Sequence, residues 1–531
     1  MVNQVSSNMN VMMWMKSYLL VLNTVWVRLA ESSAFGNSFI KLYPTFFRLI
    51  KSINLQCSTT EYWNTHCKLY EEVPLRACWP WIWHSMRLQH LPRNPITGAT
   101  KSEFHSSNLL CASQGATKLK LCDGEFVSKL LDRRWTLGNP DSKIHRIMLS
   151  REQSQFGSRY LGNIYFSICT HPKLGDGMME QRSKDLSFYI VRDDLLHPLV
   201  NGNKARKLDA LLPIMEDYSG TDVVTCGGCQ SAHAAAVAVS CAERGITSHL
   251  LLRGEEPEFL TGYNLVSTMY GNVIYVPRSL YVKREEMLMR HANMVAGANG
   301  SVSWLSDILD SSTFSMIEPN CVQNTDSSEN HARKVVVVNE GAGDAVALLG
   351  VIRLVQYLSQ NHVLGNRPYN FVVDAGTGTT AVGLGLGASC LGLPWKVTAV
   401  MLADTVDGYR KQEKRLISDF KRYCASDFID HICDRSSNEL VNWVDRVNPR
   451  KFGKVLDGEV KACQKVANQT GILVDPIYTL AAWELAALLS PREAEEGVKV
   501  VMIHTGGHLA CLDWLKGTGL TSKLFKDRTP R

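Results

Sequence analysis

The feature that most constrains the fold is an alternation of short apolar segments with helix-forming segments, which starts near Ser187. The apolar segments are rich in β-branched residues and lack a polar face, so we interpret them as strands buried on both sides. Because helices between parallel strands cover both faces of a sheet, the pattern predicts an α/β protein with parallel sheets. The predicted strands are 187–191, 222–225, 249–252, 273–276, 334–338, 371–373, 397–402 and 498–503, and the predicted helices include 126–135, 232–244, 345–358, 381–391 and 480–489. The polar stretch 311–332 is predicted to be a surface loop.

Charge and cysteine content exclude several function classes. The chain has 531 residues and a formal net charge of +6, but residues 1–120 carry 12 Lys/Arg against 5 Asp/Glu, so the remainder is close to neutral. We therefore expect no nucleic-acid surface. The 15 cysteines show no paired spacing typical of zinc sites, which indicates free thiols in a reducing compartment and no metal site.

The stretch around Lys204 is the first candidate for chemistry. Residues 201–203 form a turn sequence that leads into a helix-forming run, 204–212, and Asn203 is suited to be the N-cap. Lys204 then lies in the first helical turn, where the helix dipole disfavours its charged form. An amine with a lowered pKa can attack an aldehyde and form a Schiff base. The alternative is a solvated basic face formed by Lys204, Arg206 and Lys207.

A glycine- and threonine-rich segment, residues 375–380, follows the predicted strand 371–373 and leads into a helix predicted to begin at Ala381. Glycines let the backbone approach an anion, and the amides at a helix start point toward it. The segment is therefore a candidate phosphate site. Two ligands fit it, a dinucleotide through the loose Gly-x-Gly-x-x-Ala pattern, or the phosphate monoester of pyridoxal phosphate (PLP). A plain strand-to-helix turn is a third interpretation.

The segment Cys226-Gly227-Gly228-Cys229-Gln230-Ser231 also joins a predicted strand to a helix. Its Cys-x-x-Cys spacing permits a redox pair. We favour a second anion site, in which glycine amides and Ser231 at the helix start bind a substrate carboxylate. The Gly-x-Ser-x-Gly elbow of hydrolases is absent here.

Three further segments at strand ends are candidates for the same cleft. Residues 339–344 form a glycine-rich turn. Tyr478 follows Asp475-Pro476-Ile477 and either presents its ring and hydroxyl to a cofactor or belongs to the core. Thr505 follows the last apolar strand and is suited to donate a hydrogen bond to a ring nitrogen.

Taken in order, these motifs resemble one family. From about Ser187 to Trp514 the chain resembles the D-cysteine desulfhydrase and 1-aminocyclopropane-1-carboxylate (ACC) deaminase family, and most of all its plant mitochondrial desulfhydrase type. That family has the PLP-dependent, tryptophan-synthase-β-like architecture (PLP fold type II), with two open parallel-sheet domains. The motifs that carry the resemblance are residues 192–198, 201–208, 227–231, 376–380, 475–478 and 505–507.

The resemblance implies a role for each matching residue. Lys204 holds PLP as a Schiff base, with Asn203 beside it. Ser231 touches the substrate as nucleophile or proton relay, and Tyr478 lies beside the cofactor ring. The phosphate is bound by Gly376, Thr377, Gly378, Thr379 and Thr380.

The chain also departs from the family pattern. Family members usually have asparagine after the active-site serine, where this chain has Ala232 followed by His233. Deaminases carry a glutamate after the tyrosine, facing the pyridine nitrogen, where this chain has Thr479. A second deaminase tyrosine is replaced by Phe452. The last two changes disfavour opening of a cyclopropane ring.

The activity implied by the resemblance is β-elimination of D-cysteine to pyruvate, ammonia and hydrogen sulfide. The alternatives are ACC deamination to 2-oxobutyrate and ammonia, or a catalytically silent PLP-binding protein. A neutral donor at the ring nitrogen, Thr479 or Thr505, is expected to leave that nitrogen unprotonated. The partners expected are a small amino-acid substrate and a second copy of the chain in a homodimer.

The segment before the family match is interpreted as an irregular N-terminal extension, residues 1–120. Its first 30 residues contain no acidic residue, which is compatible with an organellar presequence. Its apolar run 17–27 is too short to span a bilayer. We predict a mitochondrial location, with the chloroplast or cytoplasm as alternatives. We also predict that residues 121–215 and 341–531 form a large PLP domain and that residues 216–340 form a smaller α/β domain.

Overall fold

The computed structural model describes residues 123–151, 161, 164–175, 186–311, 332–424, 440–507 and 509. The predicted extension, its presequence and nearly all of the predicted surface loop 311–332 therefore lie outside the described residues. Within the described part the strands are β1 (Ile144–Arg151), β2 (Ile164–Cys169), β3 (Ser187–Val191), β4 (Asp222–Gly228), β5 (Thr247–Arg253), β6 (Asn272–Val276), β7 (Ser301–Trp304), β8 (Lys334–Val337), β9 (Tyr369–Ala375), β10 (Trp395–Met401), β11 (Asn442–Asp445) and β12 (Lys499–Ile503).

The helices alternate with these strands as the sequence pattern predicts. They are α1 (Asp123–Leu131), α2 (Asn203–Asp217), α3 (Ala232–Ala242), α4 (Gly262–Tyr270), α5 (Arg278–Tyr281), α6 (Arg284–Ala296), α7 (Leu305–Ser311), α8 (Ala347–Leu358), α9 (Thr379–Cys390), α10 (Val406–Cys424), α11 (Glu459–Thr470) and α12 (Thr479–Glu495). Two short 3₁₀ turns, Asp193–Leu195 and Glu340–Ala342, follow β3 and β8.

The strands form two sheets. A seven-stranded sheet has the order β11-β10-β9-β12-β3-β1-β2, and a five-stranded sheet has the order β6-β5-β4-β8-β7. All the pairs in the smaller sheet, and those from β11 to β3 in the larger one, are parallel. The predicted α/β class with two parallel sheets is therefore confirmed.

The larger sheet departs from parallel pairing at one edge. β1 runs antiparallel to both β2 and β3. The edge strand β2 alternates buried and exposed residues, as antiparallel strands with one solvated face do. Neither β1 nor β2 is predicted from the sequence, because polar residues such as His145 and Arg146 interrupt their apolar pattern.

Helices cover both faces of the seven-stranded sheet. The larger core cluster gathers residues of α2, α8 and α9 on one face, and a second cluster gathers residues of α12 on the other, centred on Trp483. The Trp483 ring meets Phe166 and Phe188 edge to face at 5.4 and 5.2 Å. Glu340–Leu358 is long and apolar enough to cross a membrane, but 78% of its apolar window is buried, as in the core helix of a globular domain.

The parallel topology decides where a site can form. The carboxyl ends of parallel strands share one edge of a sheet, and ligands of open α/β sheets bind there. The segments that follow β3, β9 and β12 in the larger sheet, and β4 and β8 in the smaller one, are those singled out in the sequence.

Candidate active site

Helix α2 begins against the end of the last strand. Gly202 is its N-cap, with φ +61°, and a Cβ added there would overlap the carbonyl oxygen of Thr505. The amide of Asn203 donates to that same oxygen at 3.1 Å. The turn and the Thr505 peptide are therefore in direct backbone contact, and only glycine fits at position 202.

The predicted N-cap role of Asn203 is wrong. Asn203 is the first residue of the helix, and its side chain makes no cap hydrogen bond. Its Nδ2 instead donates to Thr380 Oγ1 at 3.1 Å, and its Oδ1 accepts from Lys204 Nζ at 2.8 Å. The asparagine thus joins the lysine amine to the threonine loop, although 177 positions separate Asn203 from Thr380.

Lys204 has the properties of a reactive amine. Its side chain is only partly exposed, and burial lowers the pKa of the ammonium to about 8, while the nearby Asp374 opposes this shift. A pKa of about 8 leaves a useful fraction of neutral amine near physiological pH. The geometry therefore agrees with the predicted nucleophile and places it beside the loop.

The loop 376–380 follows β9 as predicted. Gly378 has φ +77° and is the N-cap of α9, which begins at Thr379, two residues before the predicted start. Thr379 and Thr380 are buried in the first turn, and the hydroxyls of Thr377 and Thr379 lie 3.1 Å apart. The loop therefore combines three hydroxyls with the amides of a helix start.

Lys207 is a site residue that the sequence analysis assigned only to a possible basic face. Its Nζ donates to the carbonyl of Gly341 at 2.9 Å and lies 3.4 Å from Thr377 Oγ1. Its side chain is 1% exposed, and burial and the neighbouring Lys204 lower its pKa well below the usual range. The spacing of three positions from Lys204, which puts both lysines on one helix face, was the available signal.

The solvated basic face is excluded as an explanation of this stretch. Arg206 is 1% exposed and pairs with the buried Asp193 at 2.8 Å, and Lys207 is equally buried. Both side chains are therefore held inside the fold and not on a solvated surface.

The donors around the loop fit a phosphate monoester. An anion there meets threonine hydroxyls, the first amides of α9 and the Lys207 amine, whose charged form the anion itself would stabilise. Glycine at 376 and 378 keeps the backbone open. A Cβ on Gly378 would lie 3.0 Å from Trp443 and 3.2 Å from Tyr409. The amine of Lys204 is linked to this loop through Asn203. It is therefore placed to react with the aldehyde of the same cofactor.

Ser231 lies at the end of the smaller sheet. It is the N-cap of α3, and its Oγ accepts from the amide of Ala234 at 3.2 Å. The side chain of Gln230 holds this turn against α4, donating to Thr261 O at 3.1 Å and accepting from the amide of Tyr263 at 3.0 Å. Because the Ser231 oxygen accepts this bond, the hydroxyl proton can point away from the helix and donate to a substrate carboxylate.

His233 is a second residue whose role the sequence did not reveal. Thr225 Oγ1 donates to the carbonyl of Val338 at 2.9 Å, so the 3.0 Å contact with His233 Nε2 requires the ring to donate. The other ring nitrogen, Nδ1, is buried and has no partner among the described residues. Burial, Lys204 and Lys207 lower the pKa of the imidazole well below its usual value. His233 is therefore a neutral acceptor next to the two lysines.

The Cys-x-x-Cys pair lacks the properties of a redox centre. Cys226 is fully buried in β4, and burial raises the pKa of its thiol to about 12. Cys229 Sγ lies 3.6 Å from the carbonyl of Arg253. Both cysteines are free thiols. A thiol with a raised pKa is a poor nucleophile, which removes the redox alternative.

Tyr478 lies beside the phosphate loop. Its Cε1 is 3.5 Å from the position of a Cβ on Gly376, and its ring meets Phe452 edge to face at 5.6 Å. Asp475 fixes the turn before it by accepting from the amides of Ile477 and Tyr478, each at 2.9 Å. Burial raises the pKa of the phenol above its usual value, so Tyr478 keeps its proton.

The two threonines predicted as ring-nitrogen donors are both engaged elsewhere. Thr479 Oγ1 donates to Asp475 Oδ2 at 2.8 Å and accepts from the Asp475 amide at 2.7 Å. Thr505 Oγ1 donates to Asp374 Oδ1 at 2.6 Å. The fold uses each hydroxyl proton for a neighbouring carboxylate, and neither is free for a ligand in this arrangement.

The third glycine-rich turn lines the same site. The Gly341 carbonyl accepts from Lys207, and a Cβ on Gly341 would lie 2.7 Å from Thr377 Cγ2. The larger sheet therefore contributes Lys204, the threonine loop, Tyr478 and Thr505, and the segments after β4 and β8 contribute Ser231, His233 and the 339–344 turn.

Comparison with known proteins agrees with this donor set. Residues 179–506 match the family described as pyridoxal-phosphate dependent enzyme. The chain belongs to this family. Pyridoxal 5'-phosphate is therefore its cofactor, the fold is that of PLP fold type II, and the dinucleotide interpretation of the glycine loop is excluded.

Two relatives connect the chain with desulfhydrases and deaminases. A protein of Oryza sativa subsp. japonica named "Putative D-cysteine desulfhydrase 2, mitochondrial" is 52% identical over 73% of this chain and 93% of its own length. An Arabidopsis thaliana protein named "Bifunctional D-cysteine desulfhydrase/1-aminocyclopropane-1-carboxylate deaminase, mitochondrial" is 26% identical over 61% of this chain and 73% of its own length. The resemblance stated from the sequence is confirmed.

A solved structure described as an ACC deaminase homologue matches 64% of this chain and 89% of its own, with 23% identity and a TM-score of 0.49.

Proposed function

We propose that this chain catalyses the β-elimination of D-cysteine to pyruvate, ammonia and hydrogen sulfide. The observation that carries the proposal is the Lys204 amine, with its pKa near 8, joined through Asn203 to the threonine loop. The 52% identical rice relative bears the name of this activity.

The residues around the cofactor site have distinct tasks. Lys204, Lys207 and the loop 376–380 hold the cofactor by its aldehyde and its phosphate. When bound, pyridoxal phosphate supplies an electron sink that stabilises negative charge at the substrate α-carbon. Asn203 orients the Lys204 amine, and Tyr478 and Thr505 close the site from the side of the larger sheet.

Side chains of this protein then act on the substrate α-proton and the substrate carboxylate. With the cofactor bound, Lys204 Nζ would be the base that takes the substrate α-proton. The Ser231 hydroxyl donates a hydrogen bond to the substrate carboxylate and keeps its proton. The C–S bond breaks with its electron pair on sulfur, which leaves as sulfide. The three-carbon enamine that is released tautomerises to an imine, and one water molecule hydrolyses this imine to pyruvate and ammonia.

We favour D-cysteine over ACC as the substrate because two deaminase groups are absent. Thr479 replaces the deaminase glutamate and is committed to Asp475. Phe452 replaces the second tyrosine and presents no hydroxyl to the site beside Tyr478. ACC deamination remains the alternative because the Arabidopsis relative is named for both activities.

The test is an amino-acid panel on the purified protein. We expect sulfide and pyruvate from D-cysteine, little 2-oxobutyrate from ACC, and slower turnover of L-cysteine. Lys204→Ala is expected to be colourless and inactive. The control is Lys396→Ala, which removes an exposed lysine of β10 and should keep both the yellow colour and the rate. Retained activity in Lys204→Ala would refute the assignment, and a yellow wild type without turnover of any amino acid would identify a silent PLP-binding protein.

The domain assignment follows from the strands. We propose a large PLP domain formed by residues 121–215 and 341–531 and a smaller domain formed by residues 216–340. The membership of β1–β3 and β9–β12 in one sheet, and of β4–β8 in the other, supports this division.

We also propose a mitochondrial location and a homodimer. The names of the rice and Arabidopsis relatives both include the mitochondrion. Import of the tagged full chain into isolated mitochondria tests the location, with isolated chloroplasts as the comparison.

Sedimentation velocity of the holoprotein tests the homodimer. A single monomeric species at micromolar concentration would refute it.

A further inference from the structure

Asp374 is a buried carboxyl group that the proposed mechanism does not use. It lies near the end of β9, immediately before the phosphate loop, and is 4% exposed. Thr505 follows β12, the strand paired with β9, and is 6% exposed. The 2.6 Å hydrogen bond between Asp374 Oδ1 and Thr505 Oγ1 is therefore shielded from water.

The groups that face Asp374 determine its charge. Lys204 and Lys207 approach from α2, whereas Asp475 and the phenol of Tyr478 approach from the turn before α12. Burial and Asp475 raise the pKa of Asp374 to about 6, and Lys204 and Thr505 oppose this rise. Near neutral pH the carboxyl is thus ionised, and it acts as the acceptor of the Thr505 proton.

A hydroxyl has one proton and two lone pairs. When Asp374 takes the proton, the remaining lone pair makes Thr505 an acceptor toward any other neighbour. We propose that Asp374 is a positioning residue that turns the Thr505 hydroxyl, so that its oxygen rather than its proton is offered to the cofactor site. The proposal rests on the proposed function, because it concerns the same site.

This orientation reverses the expectation from the sequence. Thr505 as a donor would favour an unprotonated pyridine nitrogen, whereas Thr505 as an acceptor favours a protonated one, which withdraws electrons more strongly. Asp374 and Thr505 would then together stabilise the proton on the pyridine nitrogen. In deaminases a glutamate faces this nitrogen, and Thr479 replaces that glutamate here. In this chain the carboxyl group lies near the end of β9 and not at the residue after the tyrosine.

The experiment measures the ring nitrogen directly, by ¹⁵N NMR of the holoprotein loaded with PLP labelled at that nitrogen. We expect the wild type to show the protonated pyridinium signal. In Asp374→Asn the new amide donates to Thr505 Oγ1 and turns its proton outward, so the signal should move to the unprotonated position. Thr505→Val should lose the protonated signal as well, and Thr505→Ser should keep it.

Thr398→Val is the matched control. Thr398 is a buried threonine of the same sheet, and its hydroxyl donates to Asn370 Oδ1 at 2.9 Å near the amino end of β9, away from the loop. We expect the pyridine nitrogen of PLP bound to Thr398→Val to remain protonated. If Asp374→Asn does not fold, the valine and serine variants of Thr505 still decide the question.

Two results would overturn the proposal: an unprotonated nitrogen in the wild type, or a protonated one in Asp374→Asn and Thr505→Val alike. Failure of the proposed function is distinguishable from both. It would appear as absence of the PLP chromophore in the wild type, or as a normal chromophore with no sulfide from D-cysteine.

Discussion

A lysine in water keeps its proton until the pH passes about 10, and a protonated amine cannot attack an aldehyde. In this chain burial removes that obstacle at Lys204, and Asn203 aims the amine without neutralising it. The reactivity of the residue is therefore a property of its surroundings and not of its sequence neighbours alone.

The rate at which the apoprotein captures PLP should rise with pH and level off. With a pKa of about 8, the neutral fraction of Lys204 is roughly 10% at pH 7 and roughly 90% at pH 9. Stopped-flow absorbance at the imine band between pH 6.5 and 9.5 measures the profile. A flat profile, or a midpoint near pH 10, would contradict the depressed pKa.

Replacing Lys207 by methionine should weaken phosphate binding without removing the reactive amine. A charge-assisted hydrogen bond contributes about 1.5–3 kcal/mol, so the affinity for PLP should fall by roughly 10–100-fold. Pyridoxal, which has no phosphate, should bind the variant and the wild type about equally. An equal loss for both ligands, measured by absorbance titration, would indicate general damage to the site.

Some features of the site could be predicted from residue types and others could not. Lys204, Ser231 and the threonine loop are visible as chemical groups at strand or helix ends, where the topology places ligands. The direction of a hydroxyl proton is not visible, because it depends on the neighbouring carboxylates of Asp374 and Asp475. The sequence therefore did not reveal that the hydroxyls of Thr479 and Thr505 donate to these carboxylates.

Each element that carries a site residue is fixed at its first turn. Helix α2 begins on the Thr505 peptide, α3 on the Ser231 side chain and α9 on the left-handed Gly378. The predicted start of α3 at Ala232 is confirmed, because a serine N-cap is readable in sequence. Helix α2 starts one residue earlier than predicted, with Gly202 as its N-cap. The Asn203 side chain does not cap the helix, because it forms hydrogen bonds with Lys204 and Thr380.

Gly202→Ala should destabilise the protein and loosen the site together. A non-glycine residue at φ +61° and overlap of its Cβ with the Thr505 carbonyl should reduce the free energy of unfolding by roughly 2–5 kcal/mol. Urea unfolding measures the loss. Gly138→Ala is the control, because a Cβ there has no neighbour within 4 Å, and an equal effect of the two substitutions would contradict the backbone contact.

For the whole molecule, the cofactor site joins segments that are far apart in sequence. The residues proposed to bind the phosphate, the aldehyde and the substrate lie on α2, on α9 and at the ends of both sheets. We therefore expect bound PLP to stabilise the native state, by about 2.7 kcal/mol at a hundredfold excess over Kd.

Thermal unfolding with and without PLP measures this stabilisation. The wild type should gain several degrees, and Lys204→Ala should gain less because it lacks the covalent bond. Pyridoxine 5'-phosphate, which has no aldehyde, should raise the Tm of both proteins by similar amounts. A wild type whose Tm does not respond to PLP would contradict the site.

The α/β class and the central parallel strands could be predicted because buried parallel strands leave a strong apolar signal. The antiparallel edge could not, since β1 and β2 mix polar and apolar residues. Sequence also gives no direct measure of pairing order, so the insertion of β12 between β9 and β3 becomes visible only in three dimensions.

That insertion has a consequence for biosynthesis. A ribosome makes β3 and β9 long before β12, and the gap between them stays open until residues 499–503 have emerged. Lys204 has no Thr505 peptide against which to start its helix until the same moment. The growing polypeptide therefore cannot complete this cofactor site until residues 499–505 have been translated.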